Sequence, residues 1–124
     1  MDDERKIREV ACEMLSLLGY ESDFARDGAE AIEKYIQALE EGKPFDLVVM
    51  DLTIPGGMGG RETIKRLLKI DPTIKAIVSS GYSSDPVMSY YSEYGFSGVV
   101  SKPYKIEELA EVISKFLHSK SENA

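Results

Sequence analysis

The run "FDLVVMD" at residues 45–51 is apolar on both faces of an extended chain, and the same pattern returns as "KAIVSS" at 75–80 and "SGVVSK" at 97–102. A strand with one wet face alternates apolar and polar residues, so strands that do not alternate must be covered on both sides. The covering material lies between them. Ile7, Val10, Ala11, Met14 and Leu18 stand at helical spacing ahead of Gly19, and Ile32, Tyr35, Ile36 and Leu39 do so ahead of Gly42 and Pro44. Ile64, Leu67 and Leu68 mark a third helix that stops before Pro72, and Asp85-Pro86 opens a fourth with an inner stripe of Val87, Tyr90, Tyr91 and Tyr94. Adjacent Tyr90 and Tyr91 cannot both point inward, so one of them is at least partly exposed. Glu107 and Glu108 begin a fifth, whose inner stripe is Leu109, Val112, Ile113, Phe116 and Leu117. Strands alternating with amphipathic helices predict a doubly wound α/β domain with a parallel sheet. "YESDFA" at 20–25, closed by the Asp27-Gly28 turn, reads as one more short strand. The order begins with a helix, so the strand that should precede it is cut down to Met1.

At 124 residues with 43% hydrophobic content the chain can build one core, expected over 1–118 with a polar tail at 119–124. A net charge of -7 argues against nucleic acid and anionic membrane surfaces as partners, and for a basic protein or a metal cation. The sole cysteine, Cys12, excludes an internal disulfide and a thiolate zinc site and fits a reducing compartment. Among Val10, Ala11 and Met14 it reads as a buried, inert thiol. No run approaches the roughly 20 apolar residues of a membrane span, and "MDDERK" is unlike a secretory signal, so a cytoplasmic location is expected. His118, beside the polar tail, reads as a solvated helix end rather than a phosphotransfer histidine.

In an open parallel sheet the ligand site lies beyond the carboxyl ends of the strands. There stand Asp51, then Ser79 and Ser80, then Lys102, and also Asp2 and Asp3 where the missing first strand would have ended. Three carboxylates on one rim repel unless a cation sits among them, and hard oxygen donors at a partly open site suit Mg2+. A hydroxyl and a lysine facing the same spot supply a hydrogen-bond donor and a fixed positive charge for a phosphoryl group. Asp51 can then act as nucleophile, because a carboxylate needs no base to free its attacking oxygen. Taken singly, Asp51 is a strand-end acid capping a turn and Lys102 an ordinary surface lysine; their meeting on one rim carries the weight.

"DDE" at 2–4, "VVMDLTIPGG" at 48–57, "IVSSGY" at 77–82 and "VVSKPY" at 99–104 resemble the motifs of the receiver domain of two-component response regulators, from Met1 to about Leu117. The "DLTIPGGMGG" and "SSGYSSDPVM" stretches are most similar to receivers of hybrid sensor histidine kinases. The resemblance implies a flavodoxin-like fold and a phosphoacceptor signalling role in a phosphorelay, not an enzyme beyond its own Mg2+-dependent phosphoryl transfer and dephosphorylation. It makes Asp51 the phosphoacceptor, Ser80 the switch hydroxyl and Lys102 the phosphate-binding lysine. Asp3 would ligate Mg2+ directly, Asp2 through water, and Thr53 through its main-chain carbonyl. Tyr82 and Thr53 take the positions that govern phosphoryl lifetime, Tyr82 by screening the product from water, and the Lys102-Pro103 bond is expected to be cis. The implied partner is a sensor histidine kinase or a histidine phosphotransfer protein, with the last two helices as the output face.

Three departures stand out. Val99 replaces the aromatic often found three before the lysine, the glycine-rich loop after Asp51 is one residue longer than the commonest pattern, and Lys105 replaces a capping Ser or Thr at a cost of about 1 kcal/mol. Two rivals share the chemistry or the fold. An aspartate-nucleophile phosphatase wants a second acid where Thr53 stands, and a docking domain of the same fold would never be phosphorylated. The family's first strand lies mid-sheet and buries four or five apolar side chains worth about 1.5–3 kcal/mol each, against a domain stability of about 5–15 kcal/mol. Four strands are therefore expected here, the second and third pairing directly or leaving edges that self-associate, with Asp2 and Asp3 poorly placed.

Overall fold

The computed structural model describes residues 1–81, 85–102 and 105–122, with side chains placed through Phe116. Three of the apolar runs form a parallel sheet of order β1-β2-β3: β1 (Val48–Asp51), β2 (Ala76–Ser80) and β3 (Gly98–Ser101). β2 is central and wholly buried, as a strand apolar on both faces requires. Its alternate side chains feed two cores. Val78 packs with Tyr35, Met50, Ile64, Leu67, Val87 and Phe96, while Ile77 packs with Val100, Leu109 and Ile113. The register sets Asp51 beside Ser79 and Ser80 beside Ser101, so the three strand ends finish level on one rim.

Helices cover both faces. α2 (Gly28–Glu40) is capped by Asp27, whose carboxylate accepts the Glu30 amide at 3.0 Å, and α3 (Gly60–Ile70) packs against it. The two approach closely at Gly28, where a β-carbon would fall 1.9 Å from Thr63 Oγ1. α5 (Ile106–Glu122) lies on the opposite face through Leu109 and Ile113 and continues past His118.

Among the described residues the sheet has three strands, not the four expected. Residues 20–25 form no strand, and the main chain beside them is the Met1–Asp2 segment. That stub occupies the gap all the same. The Met1 amino group donates to Val49 O at 2.7 Å and the Asp51 amide donates to Met1 O at 2.9 Å, which is the parallel ladder pattern opposite Met50. On its other side the Asp2 amide donates to Ala25 O at 3.0 Å. The second segment and β1 therefore do not pair directly, and Asp2 is buried and held rather than loose.

Two helices depart from their expected stripes. α1 (Arg5–Leu17) buries no residue: Val10 is 45% exposed, Leu18 lies just beyond the helix at the surface, and Ile7, Ala11, Met14, Leu15 and Cys12 are only half-buried. The cause is beneath it, a cavity of about 530 Å3 between α1, α2, β1 and α5. Cys12 is thus a half-buried cavity-lining thiol. The fourth helix is a single turn, α4 (Pro86–Ser89), followed by a 3-10 turn at Tyr91–Tyr94, with the backbone broken at Tyr90 (φ -113°, ψ 36°). The break turns Met88 inward and leaves Tyr90 59% exposed, while Tyr91 and Tyr94 pack at the core margin.

Candidate functional site

The rim gathers its residues because each closes a parallel strand. Asp51 ends β1 and Ser80 ends β2, and Lys102 follows β3, its amide donating to Ser80 O at 3.0 Å. Asp51 and Ser80 are both buried, as is Ser79, whose carbonyl accepts the Leu52 amide at 2.9 Å. Asp2 arrives on the stub, fixed by the Glu4 amide on its Oδ1 at 3.0 Å and by Arg8, which donates to its carbonyl at 3.0 Å. Asp2, Asp3 and Asp51 each bring a carboxylate oxygen within 4.8 Å of the others, Asp3 from the exposed side.

Lys102 decides the electrostatics. Its Nζ lies 2.8 Å from Asp51 Oδ2, in a hydrogen bond, and 2.6 Å from Asp2 Oδ2, in an ion pair. Burial raises the pKa of Asp51, the hydrogen bond and charge of Lys102 pull it back, and Asp2 raises it again. Lys102 is itself held above the usual lysine range: burial works against its charge, but the two carboxylates outweigh burial. The Thr53 amide reaches Asp51 Oδ1 at 3.4 Å, so Thr53 borders the acid from the loop side.

That loop is built by glycine. Gly60 donates to Leu52 O at 3.2 Å and Gly57 to Ile54 O at 3.1 Å, and the Gly28 amide reaches across to Met58 O at 2.8 Å. A β-carbon on Gly59 would meet Leu52 O at 2.4 Å, and one on Gly60 would meet Asp51 O at 2.8 Å. The loop turns at Pro55–Gly56, with Gly56 at φ 73°.

A family model, the response regulator receiver domain, matches residues 1–114. The chain belongs to this family. It is 31% identical over 121 residues to sporulation initiation phosphotransferase F of Bacillus subtilis, covering 98% of this chain and 93% of that protein. It is 34% identical over 116 residues to chemotaxis protein CheY of Thermotoga maritima, covering 93% and 92%. Among solved structures it resembles response regulator protein TrrA of Thermotoga maritima in complex with Mg2+ and BeF, with TM-score 0.78, 32% identity and 93% of each chain covered. The flavodoxin-like architecture expected of a receiver domain is the one observed.

Receiver domains are typically Mg2+-binding, and the acidic cluster here fits that ion. Asp2 Oδ2 is a fully buried oxygen without a hydrogen bond among the described residues, held only by the Lys102 ammonium, and all the converging donors are hard oxygens. Structure adds two residues that sequence did not flag, the Met1 amino group and Arg8, which together hold Asp2. Neither has a local signature, since each acts on main-chain atoms brought near by the fold. Burial lowers the pKa of the Met1 amine to about 6, with Asp2, Asp51 and Cys12 partly offsetting it. Tyr82, the Lys102-Pro103 bond and the His118 side chain lie outside the described residues.

Proposed function

We propose that this receiver domain accepts a phosphoryl group on Asp51 from the phosphohistidine of a sensor kinase or a histidine phosphotransfer protein. The carrying observation is Lys102 Nζ set between Asp51 and Asp2, 2.8 and 2.6 Å away, with Asp3 completing the carboxylate cluster. The B. subtilis relative is named a phosphotransferase, and the T. maritima structure holds Mg2+ with BeF, which supports the same chemistry here.

Lys102 engages Asp51 Oδ2, which leaves Oδ1 to attack phosphorus in line. One oxygen–phosphorus bond forms as the donor's nitrogen–phosphorus bond breaks, and the leaving imidazole keeps that electron pair. No proton leaves Asp51 in the step. Mg2+ bound by Asp2, Asp3, Asp51 and the Thr53 carbonyl would supply positive charge to the phosphoryl oxygens. Lys102 transfers its hydrogen bond from the carboxylate to the phosphoryl group, and the Ser80 hydroxyl turns toward the product. Rearrangement after Asp51 and Ser80 then alters the face of α4, the 3-10 turn and α5, where Tyr90 is already exposed. The domain is regulatory and cytoplasmic in this reading; among the described residues no helix is long and apolar enough to cross a membrane.

Incubation with Mg2+ and acetyl phosphate, followed by intact mass, tests the reading. One labile phosphoryl group is expected on the parent and none on Asp51→Asn. Equal labelling of Asp51→Asn overturns the assignment, and steady turnover of phosphomonoesters would favour a phosphatase instead.

A further inference from the structure

α2 and α3 lie side by side and run the same way. Gly28 at the start of α2 packs on Thr63 in the first turn of α3, and Tyr35 donates to Asp71 Oδ2 at 2.7 Å, directly after α3 ends. By that register Glu30 is level with Lys65, Glu33 with Lys69 and Ile36 with Ile70, each to within about 3 Å along the axis. The solvent faces of the two helices differ in charge. Glu33, Gln37 and Glu40 recur at helical spacing on the outer face of α2, and its one cation, Lys34, is turned away toward Asp23 at 3.0 Å. α3 is the reverse: Arg61, Lys65 and Lys69 form an exposed i, i+4, i+8 row with Arg66 beside it, against the single acid Glu62. On a chain of net charge -7 a helix this basic is a local exception. Among the described residues no ion pair crosses from α2 to α3, so neither column neutralises the other within one chain. Ile36 stands two turns on from Gly28 and Ile70 two turns on from Thr63, so both border the seam, and they are 37% and 38% exposed.

We propose that the α2–α3 face pairs with the same face of a second copy, about a two-fold axis running along the seam. Such an axis keeps every residue at its level and exchanges left for right, so α2 of each copy lies on α3 of the other. Glu33 then meets the partner's Lys69 and Glu30 the partner's Lys65, each twice, while Ile36 meets the partner's Ile70 at the centre. An acidic column, an apolar seam and a basic column, in that order, form a surface complementary to itself. A uniformly acidic foreign protein would match α3 and be repelled by α2, which is why a second copy is the better occupant. The face lies across the sheet from α5, and the inference stands apart from phosphoryl acceptance: its test contains no phosphodonor.

Sedimentation equilibrium of the full chain tests this. A reversible dimer with a Kd of about 10–100 μM is expected, as suits exposed charges around a small apolar centre. Glu33→Lys and Lys69→Glu should each weaken it at least about tenfold, the first even though it lowers the net negative charge and so relieves general repulsion between copies. An equimolar mixture of the two variants should dimerise within about threefold of the parent, because each then faces the opposite charge at both contacts. The mixed pair carries the same total charge as two parent chains, and its recovery also shows that both variants are folded. Ile70→Ser should weaken the parent dimer several-fold. The proposal is overturned if the parent stays monomeric, if its dimer ignores either charge reversal or the loss of Ile70, or if the mixture fails to recover it. A monomeric parent that binds a Glu-rich helical peptide would give α3 to a foreign acidic protein, and a dimer indifferent to the reversals would place the contact on another face.

Discussion

Replacing Lys102 by methionine keeps the length of the side chain and removes its charge. The ammonium lies 2.6 Å from Asp2 Oδ2 and 2.8 Å from Asp51 Oδ2, with side-chain exposures of 15%, 6% and 9% for the three residues, so solvent screens this cluster little. Removing one partner of a buried pair strands the other charges and destabilises by about 3–5 kcal/mol. For 124 residues that corresponds to a fall in Tm of about 12–19 °C. The sign with pH is fixed as well. Asp51 already has a raised pKa through burial, and loss of Lys102 raises it further. A carboxyl whose folded pKa exceeds its unfolded value binds its proton more tightly when folded, so the deficit is full at neutral pH and shrinks as pH falls through the folded pKa. Thermal unfolding of parent and Lys102→Met without metal, at pH 7 and again near pH 4.5, measures both effects as differences from the parent. Adding Asp51→Asn to Lys102→Met should recover more than half of the loss. A deficit under about 1 kcal/mol, or one that does not change with pH, refutes the view that Lys102 neutralises this cluster.

The Met1 amine has a folded pKa of about 6 against an ordinary 8.0, so between those values the unfolded chain carries a proton that the folded chain does not. Stability should therefore rise from pH 6 to pH 8, by up to about 2.7 kcal/mol, when measured in a His118→Gln background; a flat profile refutes burial of the amine. Gly59→Ala places a β-carbon 2.4 Å from Leu52 O and should cost about 1–3 kcal/mol in a denaturant titration. Gly81→Ala, with nothing within 4 Å of the added carbon, should stay near neutral; equal effects would show that the Asp51 loop is not held by that contact.

The three strands and the rim were legible in the sequence, because strand character at β1, β2 and β3 is carried by each segment's own apolar pattern. Parallel topology then places every strand end on one side, which brings Asp51, Ser80 and Lys102 together without knowledge of any long-range contact. The Asp85 cap was legible for the same local reason, accepting the Val87 amide at 2.9 Å, whereas Asp27, read as a turn residue, proves to cap α2 by accepting the Glu30 amide at 3.0 Å. Tertiary structure alone decided what depends on the segment opposite. Residues 20–25 have strand composition but bond through Ala25 O to Asp2 without forming a strand, and α1 has an apolar stripe but a cavity beneath it. Of the adjacent pair Tyr90 and Tyr91, one had to lie outside; the backbone break at Tyr90 decides that it is Tyr90. Lys102 could have faced solvent; it lies between Asp2 and Asp51 because the Met1–Asp2 stub, bonded to Val49 O and Ala25 O and braced by Arg8, delivers the second carboxylate to it. A sequence states what each segment can offer, and only the assembled chain shows which offers meet.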